Sequence, residues 1–173
     1  PSVAEFTPEK IYYDGVPLGV TVLIENKPLG SGNLSITTGC ASDLVFPITM
    51  QDRINEIAFP PIIDEIAKKH KGLFIWDASL LVNRKGGKVY FGEFCSNRPG
   101  YNSLFTEMVL LPSVSHFFES IVQMKNPFTL GTVASSVRIF NLQQDKKDRH
   151  IQSGLAVSYK PEIEKDLWMW DVR

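Results

Sequence analysis

Residues 72–102 read G-L-F-I-W-D-A-S-L-L-V-N-R-K-G-G-K-V-Y-F-G-E-F-C-S-N-R-P-G-Y-N. Two apolar runs flank Asn83-Arg84-Lys85-Gly86-Gly87. The pattern predicts a β-hairpin, with glycines supplying the positive φ that a tight reversal needs. In the first run Phe74, Trp76, Ala78, Leu80 and Val82 fall on one face, and Ile75, Asp77, Ser79, Leu81 and Asn83 on the other. Symmetric folding about Lys85 sets Asp77 directly opposite Glu93, with Cβ atoms about 5 Å apart. Two carboxylates that close repel, so one is protonated or a cation lies between them. A hard divalent ion such as Mg²⁺ suits oxygen ligands of this kind. The alternative is an edge hairpin whose acids face water, and a slip of one residue in pairing would part the two acids.

The remainder of the chain bounds what that hairpin can belong to. With 173 residues, 43% apolar content and a net charge of −1, the sequence can build one substantial core and carries no general polyanion-binding footprint. No nucleic-acid or membrane partner is expected, since no apolar run approaches the roughly 20 residues of a membrane span. Cys40 and Cys95 are too few for a disulfide framework, so a reducing cytoplasm is the expected setting, and their spacing gives no zinc signature. The sequence starts at Pro1 and stops just after Leu167-Trp168-Met169-Trp170, which reads as a piece of a longer protein.

Taken in order, residues 1–10 read as an irregular lead-in, and Val20–Ile24 as a β-branched strand. Asn26-Lys27-Pro28-Leu29-Gly30 makes a turn, residues 33–38 a returning strand, and 39–47 a loop. A short helix is expected over 50–57, ended by Pro60, and a better one over 61–71 with proline in its first turn and Gly72 beyond its end. His70 is assigned to that helix end. Residues 102–111 and 114–124 predict two more helices, the second with Val114, Phe117, Phe118, Ile121 and Val122 as its core face. Strands follow at 133–140 and 155–159, separated by a charged loop at 143–150. The expected architecture is α+β, an antiparallel sheet with helices packed on one side, with residues 1–142 as one lobe and 143–173 as an appended charged loop and strand.

Asn97 adds a neutral oxygen ligand to the acidic pair, and Arg98 a fork-shaped cation suited to carboxylate or phosphate. Ordinary loop polarity is the other reading of both. The pattern G-(x)4-D, strand, turn, strand, E-(x)3-N-R-P-G resembles the metal-binding hairpin of the ATP-grasp superfamily of carboxylate–amine ligases. The wider arrangement is most similar to phosphoribosylamine–glycine ligase, through Gly72-Leu73-Phe74-Ile75, Lys88-Val89-Tyr90-Phe91-Gly92-Glu93-Phe94 and Asn97-Arg98. Glu9-Lys10-Ile11-Tyr12-Tyr13-Asp14-Gly15-Val16 is similar to the adenine hinge of that family. Together these segments cover most of residues 9–141.

The resemblance implies the C-terminal lobe of a ligase of purine biosynthesis that binds ATP and Mg²⁺. A small carboxylate substrate would be activated as an acyl phosphate and displaced by an amine. It implies Asp77, Glu93 and Asn97 as metal ligands, Arg98 as the catalytic cation, and Glu9, Lys10, Ile11 and Tyr13 as the hinge that meets adenine through its backbone. It also implies an N-terminal lobe of the same protein as partner, with a homodimer left open. The sequence departs from the family where Cys95 stands two residues after Glu93 in place of asparagine, and from its D-alanine–D-alanine ligase type where Ile75 stands two before Asp77 in place of arginine. The family's G-G-M-G stretch is echoed only by Gly30-Ser31-Gly32 and Gly39. These departures keep a second reading open, a non-catalytic binding or assembly module on the same fold. A divalent-metal hydrolase is a third, weakened by the lack of a well-placed histidine.

Overall fold

A computed structural model describes residues 3–28, 37–83, 85–96, 101–139, 158–167 and 169. The chain forms two compact units, Pro1–Arg138 and Ile139–Arg173. The first is built on a six-stranded sheet, antiparallel at every pairing: β1 (Val3–Tyr13), β2 (Val16–Pro28), β3 (Thr37–Ile48), β4 (Leu73–Asn83), β5 (Val89–Ser96) and β6 (Ala134–Val137). The strand order is β5-β4-β1-β2-β3-β6.

Among the described residues the unit also has the helices α1 (Arg53–Ala58), α2 (Pro61–Ala67), α3 (Tyr101–Val109) and α4 (Val114–Val122). They cover both faces of the sheet, not one. Strand side chains alternate between faces, and the two cores follow that alternation. Tyr12, Phe74 and Ala78 pack with Ala58, Ile63 and Ala67 of α1 and α2. Their chain neighbours Ile11 and Ile75 pack with Leu111, Phe117 and Ile121 at α3 and α4. β2 shows why one-sided packing fails as an expectation: Val20, Thr21, Val22 and Leu23 are all buried, so this strand has no solvent face.

The lead-in expected at residues 1–10 is instead most of the central strand β1. Its polar residues Glu9 and Lys10 are buried, which hides it from a reading based on apolar alternation. Pro8 does leave a mark. Pairing between β1 and β4 runs through Phe6↔Leu80, lapses, and resumes at Glu9↔Asp77, as it must where proline offers no N–H. The segment 39–47, expected as a loop, lies within β3. β1 and β2 are joined by Asp14-Gly15, both with positive φ (48° and 81°), the two-residue turn that matches strand twist. A Cβ on Gly15 would lie 2.6 Å from Lys68 Cα, so close approach of α2 also demands glycine there.

Helix 61–71 is present over Pro61–Ala67, with Gly72 at φ 75° beyond it. His70 stacks on Phe74 at 4.3 Å between ring centroids. On α4 the buried residues are Phe117, Ser120 and Ile121, while Val114, Phe118 and Val122 are exposed, so the apolar stripe is wider than the face it buries. In the second unit the described residues form a 3-10 turn, Pro161–Asp166, with no buried residue. Residues 155–157 of the expected last strand, the charged loop at 143–150, and Gly30-Ser31-Gly32 lie outside the described residues. Residues 158–160 are described and have no regular structure. No helix among the described residues is long and apolar enough to cross a membrane.

Candidate functional site: an acidic face of the sheet

The register of the β4–β5 hairpin decides which acids meet. Tight pairing near the turn gives Val82↔Val89, Leu81↔Tyr90 and Leu80↔Phe91. The register then shifts, and Ser79 pairs with Glu93 and Asp77 with Cys95. The extra residue is Gly92, whose missing side chain leaves room for Ser79: a Cβ there would sit 3.1 Å from the Ser79 carbonyl oxygen. Asp77 is therefore not opposite Glu93, as symmetric folding about Lys85 predicts. Pairing near the turn is already one residue off symmetry about Lys85, and the bulge adds a second, so the two acids are offset by two residues and stay on the same face.

Pairing extends this face across the sheet. Cys95, Asp77, Glu9 and Thr21 make one cross-strand row. Glu5, Glu25, Asp43 and Ser136 make another, two rungs away. Glu107 enters from α3, only 3% exposed, and accepts a hydrogen bond from the Thr21 hydroxyl. A further hydrogen bond links its carboxyl to Glu9, which needs a proton on one of the two acids. Asp43 fastens this layer. Its Oδ1 accepts from the Thr106 hydroxyl at 2.8 Å, the Ser136 amide at 3.0 Å and the Ser136 hydroxyl at 2.6 Å, tying α3 and β6 to β3.

The charges on this face are unevenly compensated. At one end Lys27 reaches Glu5 at 2.7 Å and Glu25 at 3.9 Å, and Thr7 donates to Glu25. Burial still raises the Glu25 carboxyl above its usual range. Glu107 is raised likewise, chiefly by burial, with the Asp43 charge adding to it. At the other end Asp77 is only 6% exposed. Burial and then the charges of Glu25, Glu107, Glu93 and Glu5 push it from 3.8 up to about 7. No ion pair of the described residues reaches Asp77. A carboxyl in that position is held neutral near pH 7, or it takes a cation.

The other expected residues divide between the two faces. Lys10 points away from the acids, buried against α2, with its ammonium 2.8 Å from Asp64 Oδ1 and over the rings of Tyr12 and Phe59. Ile11 and Tyr13 belong to the core under α3 and α4. The adenine hinge expected at Glu9, Lys10, Ile11 and Tyr13 sits in a central strand paired to β2 on one side and β4 on the other. Its amides and carbonyls are engaged by those neighbours, so a backbone hinge has no free edge at this position. Of that group only Glu9 presents a side chain among the acids. Asn97 and Arg98 lie outside the described residues.

The donors at Asp77 and Glu93 are carboxylate oxygens, the type that hard divalent cations take, with one thiol beside them. Among the described residues no group of three or more His, Cys, Asp or Glu is arranged to hold a metal ion, so those two acids form an incomplete ligand set. Glu5, Glu25, Asp43 and Glu107 were not singled out from the sequence. The available signal was polar residues recurring at the inward positions of strands, as in Glu5 and Glu9 or Thr21 and Glu25, and a lone acid in the apolar helix segment Leu104-Phe105-Thr106-Glu107-Met108. No family model matches the chain, and no curated protein matches it.

Proposed function

We propose that this chain is the metal- and nucleotide-binding lobe of an ATP-dependent carboxylate–amine ligase, most like phosphoribosylamine–glycine ligase, which forms an amide through an acyl phosphate. The observation that carries the reading is Asp77, a carboxyl buried in a face of acids, raised to about 7 and met by no ion pair of the described residues. Asp77 and Glu93 would hold a divalent cation, which when bound offsets the charge of nucleotide phosphates. Glu9 and Glu107 supply the anionic floor behind Asp77, and α3 keeps water from that floor. Asn97 and Arg98, next along the chain after β5, are the proposed third ligand and phosphate-facing cation.

Calorimetric titration of Mg·ATP into the protein tests this. The account expects saturable binding, weakened about tenfold or more by Glu93→Gln while the thermal unfolding of that variant stays near the parent. Binding that is unchanged in Glu93→Gln overturns the assignment. A second reading, a non-catalytic binding or assembly module, is favoured by Cys95 standing directly opposite Asp77 where the ligase family has an amide. It expects no heat with Mg·ATP from a folded sample.

A further inference from the structure

Asp77 is only 6% exposed, and neither a hydrogen bond nor an ion pair of the described residues meets its carboxyl. The residue facing it from β5 carries sulfur. Cys95 is the direct partner of Asp77 across β4–β5, whereas Glu93 pairs with Ser79, the next position along the same face. Directly paired residues share a face, with Cβ atoms about 5 Å apart, while diagonal neighbours stand about 7 Å apart. Cys95 is therefore rooted nearer to Asp77 than Glu93 is.

Exposure falls along this line. Glu93 is exposed, Cys95 half-buried and Asp77 buried. An ion arriving from solvent meets a long, movable carboxylate first, then the thiol, then the buried acid. Among the described residues these three side chains are not arranged around a metal ion as they stand, so the reach of Glu93 has to close the set. The donor types then decide which ion is held. Mg²⁺ is a hard cation that takes oxygen ligands, and thiolate sulfur selects softer ions. A zinc-class ion lies about 2.3 Å from sulfur and about 2.1 Å from a carboxylate oxygen, so one ion bridges two side chains rooted about 5 Å apart.

We propose, resting on the reading that Asp77 and Glu93 take a divalent cation, that Cys95 is a ligand of the same ion and that its sulfur turns the site toward thiophilic divalent ions, Zn²⁺ or Co²⁺, and away from Mg²⁺. The thiol gives its proton to water as the sulfur takes the metal, and no electron moves. The other thiol, Cys40, is buried on β3, three strands from β4 in the sheet, and plays no part.

Cobalt titration of the whole chain tests the inference, on protein dialysed free of metal and kept reduced with a phosphine. The expected result is Co²⁺ binding with a thiolate-to-cobalt charge-transfer band in the near ultraviolet. Cys40→Ser leaves Cys95 as the one thiol in the chain and keeps the band, which assigns it without any change at the site. Cys95→Ser abolishes the band and lowers the ratio of Co²⁺ to Mg²⁺ affinity about tenfold or more, read by competition between the two ions. Co²⁺ bound without the band, or a ratio unchanged in Cys95→Ser, overturns the role of Cys95 and leaves the cation at Asp77 and Glu93 standing. A folded parent that binds neither ion, or binding untouched by Asp77→Asn, overturns both.

Discussion

Asp77 carries the most consequential charge in the molecule because its carboxyl is buried where four other acids act on it. The protonated form is favoured in the native state up to about pH 7 and in the unfolded chain only up to about 3.8. Between those values the native state holds a proton that the unfolded state has lost, so stability falls as pH rises from about 4 to 7 and stays lower above it. Asp77→Asn removes the penalty. Thermal melts of that variant should show a gain of about 1–3 kcal/mol at pH 8, little change at pH 4, and a flatter dependence between. Equal effects at both pH values would place the cause elsewhere than in ionisation. Gly15 is a second residue whose identity is forced. Gly15→Ala combines a positive φ with a Cβ set against Lys68, and should cost about 1–3 kcal/mol by denaturant titration.

At the scale of elements, the hairpin β4–β5, both helices flanking Pro60 and the two helices after residue 100 are legible from apolar spacing, proline and glycine alone. β1 and β3 are not. β1 hides its Glu9 and Lys10 by pairing them with partners on other elements, Glu107 on α3 and Asp64 on α2, and local sequence holds no trace of such partners. β3 runs on from the expected strand end at Thr38 through Gly39-Cys40-Ala41-Ser42, weak strand formers stabilised by pairing with β2. The offset of Asp77 from Glu93 was equally out of reach, because the turn register and one bulged glycine set it together. Asp43 is the element-scale hinge pin: Asp43→Ala strips three hydrogen bonds that join α3 and β6 to β3 and should cost about 2–4 kcal/mol. Hydrogen exchange should accelerate first in β6 and α3, and uniform acceleration across the sheet would argue against this local role.

For the whole molecule, the sheet acts as a partition. One face is an apolar core closed by α1 and α2, where the buried cation among the described residues, Lys10, is neutralised by Asp64. The other gathers acids from all of β1 to β5 and from α3, compensated by Lys27 at one end and left short of positive charge at Asp77. Under the proposed reading the cation would sit between Asp77 and Glu93, with Asn97 and Arg98 next along the chain. The one-sided helix packing expected from element order was wrong because strands buried on both faces carry no face-specific signature. The acidic face was legible only as the pair Asp77 and Glu93, since its remaining members lie far apart in sequence.

The measurement that bears most directly on this account is calorimetric titration of Mg²⁺ alone at pH 6 and pH 8, in buffers of different ionisation heat, for the parent and Asp77→Asn. The account predicts saturable binding, tighter at pH 8, with proton release at pH 6 as the cation displaces the Asp77 proton, and a loss of about tenfold or more in affinity in the variant. Binding that is absent from the parent, or that is independent of pH and untouched by Asp77→Asn, would contradict it.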